Sequence, residues 1–508
     1  MEVILTGSDL TIDDVWAVAV EGARVKLSEE AEERVKKCEE VVVDLVRKGE
    51  KIYGVTTGIG ELARIFLNEK QGLELQKRII YSHSASVGDA LPERDVKAAM
   101  VVRANVLAKG YSGVRLSTLK TYIEMINRGV VPMVYEKGSV GTSGDLSPMS
   151  QIAEVLLGGG MAFYKGELLP GGEAMKRAGL EPIKPYYKEG LAFINGPQMM
   201  AGQAALILHE VRDLLKSAFI TSSMSIDALR AVKKAFDPRV HELRGHPGQI
   251  LVAEAIRRLT EGSETMGAIK GRVQDGYSIR CTPQVLGPSV ELYYMAKEWV
   301  EREMNALSDN PIFIPEDMEH LAAGNFHGQN VGIAMDMLAI GVSEVANLAE
   351  RHINRLLNPK LSGLPDFLVE GKGLNSGLMV AQYTAAALVS ENKVLSHPAS
   401  VDSIPVSADQ EDHVSMGPVA VRKMKEIVKN TWSVIAIEAL SAAQALDFLR
   451  PAKAGKGVEA AYRTIRKEVP FMEDDRPLHP DIKKVRELLT SGEILKNVEE
   501  EVGEIRLK

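Results

Sequence analysis

Four long stretches of the chain combine apolar and charged residues and contain neither glycine nor proline. They span residues 203–237, 289–310, 378–397 and 419–450. Glycine and proline are the main breakers of helices, so the pattern predicts long helices rich in Ala, Leu, Met, Glu and Lys. A helix over all of 419–450 would be about 48 Å long. Several such helices in one half of the chain predict a bundle.

The segment 435–446 is apolar over most of its helical circumference. Such a helix lies either at the centre of a monomer core or against other subunits. Because the chain has several apolar helices, we favour burial against other subunits.

The first 200 residues differ from the rest of the chain in composition. Glycine and proline are frequent there, and turn-like stretches recur at 54–60, 138–144, 158–160 and 170–172. We therefore predict a mainly α protein with a boundary near residue 200. An N-terminal domain (1–200) would carry functional loops, and residues 201–508 would form the helix bundle.

Composition narrows the class of protein. The 508 residues include 61 basic and 69 acidic side chains, a net charge of −8, which argues against nucleic acid as a partner. Two cysteines, Cys38 and Cys281, cannot form a disulfide framework or a cysteine-rich metal cluster, and they fit a reducing compartment. No signal-peptide pattern and no apolar run of 18 residues is found, so we expect a cytoplasmic protein without a membrane span.

Two candidate cofactor motifs do not fit the structural context that each requires. Residues 58–63 match G-x-G-x-x-A, but no βαβ unit with an acidic residue about 20 positions later follows. His241 and His246 are five residues apart with Gly245 between them, which breaks the helical geometry of a zinc motif. Phosphate-binding and serine-hydrolase motifs are missing. We expect neither a metal nor a nucleotide.

The segment 138–148, Gly-Ser-Val-Gly-Thr-Ser-Gly-Asp-Leu-Ser-Pro, is the most informative stretch. Alone it reads as a flexible loop in which Asp145 caps a following helix. It also permits self-cyclisation, because the amide nitrogen of Gly144 can attack the carbonyl carbon of Thr142 where no Cβ blocks the approach. Loss of water closes a five-membered ring, and loss of a second water from Ser143 leaves an exocyclic methylidene. The product is 4-methylideneimidazole-5-one, an electrophile.

This segment resembles the signature of the aromatic amino acid ammonia-lyase family, which includes histidine, phenylalanine and tyrosine ammonia-lyases and related 2,3-aminomutases. Further matching stretches follow in the family's order at 53–60, 195–198, 274–280, 308–311, 324–327 and 410–416. The resemblance covers roughly residues 1 to 490. It implies a fold of the fumarase/aspartase-like superfamily and a homotetramer whose active sites are built from more than one subunit.

The chain departs from the family pattern at a few positions. Thr142 stands where alanine is usual, but the ring uses only its backbone carbonyl. Thr-Ser-Gly resembles the triad of some 2,3-aminomutases, which leaves the outcome of the reaction open. Thr56, Ile59 and Pro197 also differ from the usual residues.

The resemblance assigns roles to individual residues. Tyr53 would be the base for the β-proton, which requires a depressed pKa. Arg280 would clamp the substrate carboxylate in a bidentate fork. The remaining assignments are orientation by Asn195 and Tyr277, polar support by Gln274 and Asn325, and a wall beside the ring from Phe326.

Two places favour an imidazole substrate. Ser82 and His83 resemble a Ser-His pair of the histidine branch, and Glu411 resembles its glutamate. His83 and Glu411 could hydrogen-bond the two imidazole nitrogens, whereas a phenyl ring would leave them unpaired at about 1–3 kcal/mol each. We therefore expect a lyase converting L-histidine into trans-urocanate. The alternatives are a tyrosine or phenylalanine ammonia-lyase, an aromatic 2,3-aminomutase, or a non-catalytic helical scaffold in which residues 142–144 stay linear.

Overall fold

The computed structural model describes all residues from 1 to 508. Helices hold 59% of the chain, which confirms the mainly α prediction. The helices are α1 (Ile12–Ala19), α2 (Glu29–Arg47), α3 (Glu69–His83), α4 (Glu93–Ala108), α5 (Leu116–Asn127), α6 (Leu146–Leu156), α7 (Gly171–Arg177), α8 (Glu189–Ile194), α9 (Gln198–Ala228), α10 (Pro238–Arg244), α11 (Pro247–Leu259), α12 (Tyr277–Arg280), α13 (Thr282–Met304), α14 (Gln329–Leu357), α15 (Pro359–Ser362), α16 (Met379–Leu395), α17 (Gly417–Asp447), α18 (Lys456–Glu468), α19 (His479–Thr490) and α20 (Glu493–Val502).

Short strands form four small sheets. A parallel pair joins β1 (Glu2–Leu5) to β2 (Arg24–Leu27). The other sheets are antiparallel: β3 (Val87–Ala90) with β5 (Tyr135–Lys137), β6 (Met161–Tyr164) between β4 (Val131–Pro132) and β7 (Glu167–Pro170), and β8 (Ile312–Ile314) with β9 (Glu319–Leu321). Three short 3₁₀ helices lie at Gly60–Arg64, Lys233–Phe236 and Asp366–Leu368.

The four stretches free of glycine and proline do overlap long helices, namely α9, α13, α16 and α17. α13 begins before its stretch and includes Gly287 and Pro288. The sequence pattern missed α14, because Gly332 and Gly341 interrupt it. At Gly341 the glycine allows close packing of α13 on α14. Its carbonyl accepts a 2.7 Å hydrogen bond from Ser289, and a Cβ there would lie 3.1 Å from a methyl of Leu292. This glycine marks a helix contact and not a helix end.

The chain forms two compact units that are discontinuous in sequence. Unit 1 comprises 1–209, 296–336 and 398–422, and unit 2 comprises 210–295, 337–397 and 423–508. The predicted division into 1–200 and 201–508 does not describe these units. The reason is that long helices such as α9 begin among the residues of one unit and end among those of the other.

The apolar segment of α17 is buried within the single chain. Its residues from Ile435 to Leu446 are at most 3% exposed. The monomer core therefore explains its composition, and the favoured burial against other subunits was wrong for this helix. α14 is long and apolar enough to cross a membrane by length and composition, but 67% of its most apolar window is buried inside the structure, as expected of a core helix.

Candidate active site

The loop at 138–145 in unit 1 holds the triad predicted to cyclise. Gly144 has a φ of +71°, a left-handed conformation that glycine adopts at little cost. The backbones of Gly144 and Gly196 form a parallel bridge, and the Gly196 amide donates to the Ser143 carbonyl at 3.3 Å. A Cβ on Gly144 would lie 2.0 Å from the carbonyl carbon of Gly196. Only glycine fits at this position.

Asp145 follows the triad and is fully buried. Its side chain does not cap α6, contrary to the simple loop interpretation. It accepts instead from the Met200 amide in the first turn of α9 at 2.8 Å and from the Ser139 hydroxyl at 2.9 Å. Burial raises the pKa of the Asp145 carboxyl to about 6 despite these donors. The residue thus ties the reactive loop to the start of a long helix.

Glu411 contacts the triad, and Tyr53 lies within the electrostatic reach of Glu411, in two other segments of unit 1. The Ser143 hydroxyl donates to Glu411 at 3.0 Å. The Tyr53 oxygen accepts from the Gly60 amide at 2.9 Å. Burial raises the pKa of Tyr53 above its usual value; the Gly60 amide opposes this shift and the charge of Glu411 adds to it. The pKa shift is opposite to the depressed value that a base requires, so the phenol is protonated at neutral pH in this chain.

Ser82 and His83 end α3, and the segment after them packs on the reactive loop. His83 Nδ1 lies 3.0 Å from the Ser82 hydroxyl, so its observed partner is Ser82 and not Glu411. Burial lowers the pKa of His83, which keeps its imidazole neutral at neutral pH. Ser86, three residues on, lies where a Cβ of Gly138 would fall.

Asn195 lies directly before Gly196, the partner of Gly144. It is 3% exposed, and its side-chain amide donates to the Asn310 carbonyl at 3.0 Å. Its side-chain oxygen is buried without a hydrogen-bond partner, which suits a residue that awaits a ligand. The buried guanidinium of Arg103 donates a 2.7 Å hydrogen bond to the backbone carbonyl of Asn195. Sequence reasoning missed Arg103, because no local motif surrounds it on α4.

Asn325 and Phe326 lie on the loop between β9 and α14. Asn325 is exposed and Phe326 is partly buried. The loop meets the reactive segment where the Gly328 amide donates to the Gly141 carbonyl at 3.0 Å. Unit 1 therefore brings the regions of Tyr53, the triad, Asn195, Phe326 and Glu411 together.

Gln274, Tyr277 and Arg280 belong to unit 2 and form a cluster of their own. Arg280 donates to the Gln274 side-chain oxygen at 2.8 Å, and its guanidinium lies 4.8 Å from the centre of the Tyr277 ring. Tyr277 is 73% exposed. The three side chains form one polar, accessible group around α12.

The residues present fit a cyclised triad. Gly144 has no Cβ to block the approach of its amide nitrogen to the Thr142 carbonyl carbon, and its φ is left-handed. The Thr142 side chain takes no part in ring closure, and its hydroxyl is buried without a hydrogen-bond partner.

Comparison with known proteins defines the class. The family model for aromatic amino acid lyases matches residues 10–467, and the chain belongs to this family of lyases. Histidine ammonia-lyase from Caldanaerobacter subterraneus subsp. tengcongensis is 48% identical over 98% of this chain and 99% of its own.

Solved structures share the whole fold. The crystal structure of histidine ammonia-lyase from Trypanosoma cruzi matches with a TM-score of 0.93 at 42% identity, covering 100% of this chain and 97% of that one. Tyrosine aminomutase from Streptomyces globisporus matches with a TM-score of 0.95 at 35% identity, covering 100% of both chains. The family resemblance found in the sequence is thereby confirmed.

Proposed function

We propose that this chain eliminates ammonia from L-histidine to give trans-urocanate. The observation that carries the proposal is the carboxylate of Glu411 at 3.0 Å from the Ser143 hydroxyl. A charged acceptor at this place suits the N–H of an imidazole and would be left unpaired by a phenyl ring. The name of the relative at 48% identity supports the same substrate.

Thr142, Ser143 and Gly144 would form the 4-methylideneimidazole-5-one ring. When formed, the ring supplies an electrophile that makes the substrate's amino group a better leaving group. Around it, Asn195 offers a buried, unpartnered side-chain oxygen to orient polar groups. Phe326 would wall off one side.

By the family resemblance, Tyr53 would take the β-proton. Burial, and to a smaller extent the charge of Glu411, raise the pKa of its phenol in the free chain. An imidazole N–H bound to Glu411 offsets that charge and thereby removes one cause of the raised pKa of Tyr53. The Gly60 amide remains as a donor that stabilises the phenolate oxygen. His83, neutral and hydrogen-bonded by Ser82, would hold the other imidazole nitrogen.

Arg280 would bind the substrate carboxylate, with Tyr277 and Gln274 beside it. The resemblance implies a homotetramer whose active sites are built from more than one subunit. Exposed apolar residues on α16 support subunit contacts: Val380, Tyr383 and Val394 are 55%, 64% and 72% exposed. A cytoplasmic location remains a prediction.

A urocanate assay tests the substrate. Purified enzyme with L-histidine should show the growing absorbance of urocanate and release one ammonia per product. Turnover of L-tyrosine or L-phenylalanine with none of L-histidine would overturn the proposal.

A second candidate is an aromatic 2,3-aminomutase. It is favoured by Thr142, whose buried hydroxyl has no partner, and by the similarity to a tyrosine aminomutase structure. Such an enzyme returns the amine to the β-carbon, so chiral analysis of the products for β-amino acids separates it from a lyase.

A further inference from the structure

A buried polar network lies in the interior of unit 2. His352 on α14 and Glu438 on α17 are both 0% exposed, and His352 Nδ1 lies 2.6 Å from Glu438 Oε1. Two hydroxyls from α9 donate to the same carboxylate, Thr221 at 2.6 Å and Ser225 at 3.0 Å. Three helices are thus joined through one carboxylate.

The hydrogen-bond pattern fixes the hydrogen on Nε2 of His352. This nitrogen lies 2.6 Å from the carbonyl oxygen of Ser278, which can only accept, so Nε2 carries a hydrogen. Nδ1 faces the Glu438 carboxylate, which also accepts from the two hydroxyls of α9. His352 therefore links a buried, fully hydrogen-bonded carboxylate to the Ser278 carbonyl.

The Ser278 carbonyl belongs to α12, the four-residue helix that carries Tyr277 and Arg280. So short a helix depends on tertiary contacts for its stability. The carbonyl accepts from His352 and also from the Thr282 hydroxyl at 2.9 Å. His352 and Thr282 therefore fix the backbone of α12 at Ser278. This residue is one position from Tyr277 and two from Arg280, whose side chains lie on the accessible side of the helix.

We propose that His352 is a positioning residue that sets Arg280 for the substrate carboxylate by holding the Ser278 carbonyl. The inference rests on the proposed function, because it takes Arg280 as the carboxylate clamp. His352 itself does not touch substrate.

The test compares two substitutions in the full-length enzyme. His352→Asn keeps an amide near the Nδ1 position but cannot reach Ser278, whereas His352→Gln places an amide donor near the Nε2 position. His241→Asn is the matched control, since His241 also belongs to unit 2 and is 0% exposed. Its Nδ1 is hydrogen-bonded to the Gln249 side chain and its Nε2 to the Ala235 carbonyl.

Two ligands separate positioning from general damage. L-Histidine has the carboxylate, and L-histidinol, used as an inhibitor, lacks it. His352→Asn should raise KM for L-histidine on the order of 10- to 100-fold, as expected when a clamp moves by about 1 Å, and leave the inhibition constant of L-histidinol unchanged. His352→Gln should restore KM towards the unaltered enzyme, and His241→Asn should not change it. An equal loss of affinity for both ligands, or an unchanged KM, would overturn the proposal.

Hydrogen exchange gives a readout without catalysis. The peptide covering 274–282 should exchange faster in His352→Asn than in His241→Asn, and equal rates would overturn the proposal. If His352→Asn does not fold, Thr282→Val removes the second donor to the same carbonyl, and KM should rise about three- to tenfold. No rise there would contradict the role of the carbonyl. If the unaltered enzyme prefers another aromatic amino acid, the proposed function fails, and the comparison is made with that amino acid and its amino alcohol.

Discussion

The reactive loop of unit 1 and the α12 region of unit 2 position chemistry by different means. In the loop, backbone meets backbone, and a Cβ on Gly144 would lie 2.0 Å from Gly196. Around α12, two side chains hold the Ser278 carbonyl: His352 of α14 lies 2.6 Å from it, and the Thr282 hydroxyl donates to it at 2.9 Å. The loop therefore depends on the absence of side-chain atoms, and the α12 region depends on side-chain hydrogen bonds to one backbone carbonyl. Substitutions should damage the two regions in different ways.

Removing the central hydroxyl of the loop should have the largest effect. Ser143→Ala deletes the oxygen that ring formation must expel, so kcat should fall by a factor on the order of 10⁴ or more with the fold intact. Steady-state assays and circular dichroism check both parts. Ser150→Ala makes the same chemical change at a buried helix serine that bonds the Leu146 carbonyl, and its activity should persist. Comparable activity of the two variants would contradict the role of Ser143.

Adding one methyl to the loop should cost stability. Gly144→Ala combines a left-handed φ of +71° with a clash against Gly196, so the free energy of unfolding should fall by about 3 kcal/mol or more. Gly262→Ala is the matched control, since its φ is +79° and nothing lies within 4 Å of the added Cβ. That variant should lose only about 1 kcal/mol. Thermal unfolding measures the difference, and equal losses would contradict the close approach of the two backbones.

Neutralising Glu411 should weaken selection for imidazole. In Glu411→Gln, kcat/KM for L-histidine should fall about 10- to 100-fold, because the charged acceptor for the imidazole N–H is lost. The value for L-phenylalanine should not fall. Asp412→Asn, an exposed neighbour, serves as the control. Parallel losses for both amino acids would show that Glu411 acts on the reaction and not on substrate choice.

The two units also offer a contrast between buried carboxylates. Glu438 is surrounded by donors, whereas Glu303 is buried and burial raises its pKa to about 7, with Asn330 opposing the shift. A folded pKa above the unfolded one gives stability that is present below pH 4.5 and lost as the pH rises through about 7. Glu303→Gln should therefore raise the free energy of unfolding at pH 8 by about 1–3 kcal/mol and change little at pH 4. Unfolding at both pH values checks the sign, and a gain confined to low pH would contradict it.

The sequence predicted what is local. The triad and the turn at Gly144 are neighbours in the chain, and the order of motifs indicated the family. The sequence did not reveal His352 and Glu438, which are 86 residues apart and share no motif. The raised pKa of Tyr53 was missed for the same reason, because burial and the charge of Glu411 depend on the fold. The sequence pattern did not predict α14, because a glycine is typical of a helix break, whereas Gly341 permits close helix packing.

The mass of the intact chain tests the central claim most directly. Ring closure at residues 142–144 removes two molecules of water, so the purified protein should weigh less than its sequence by that amount, while Ser143→Ala should not show the full loss. A native chain at its full sequence mass would contradict the account and leave a helical scaffold with the shape of a lyase.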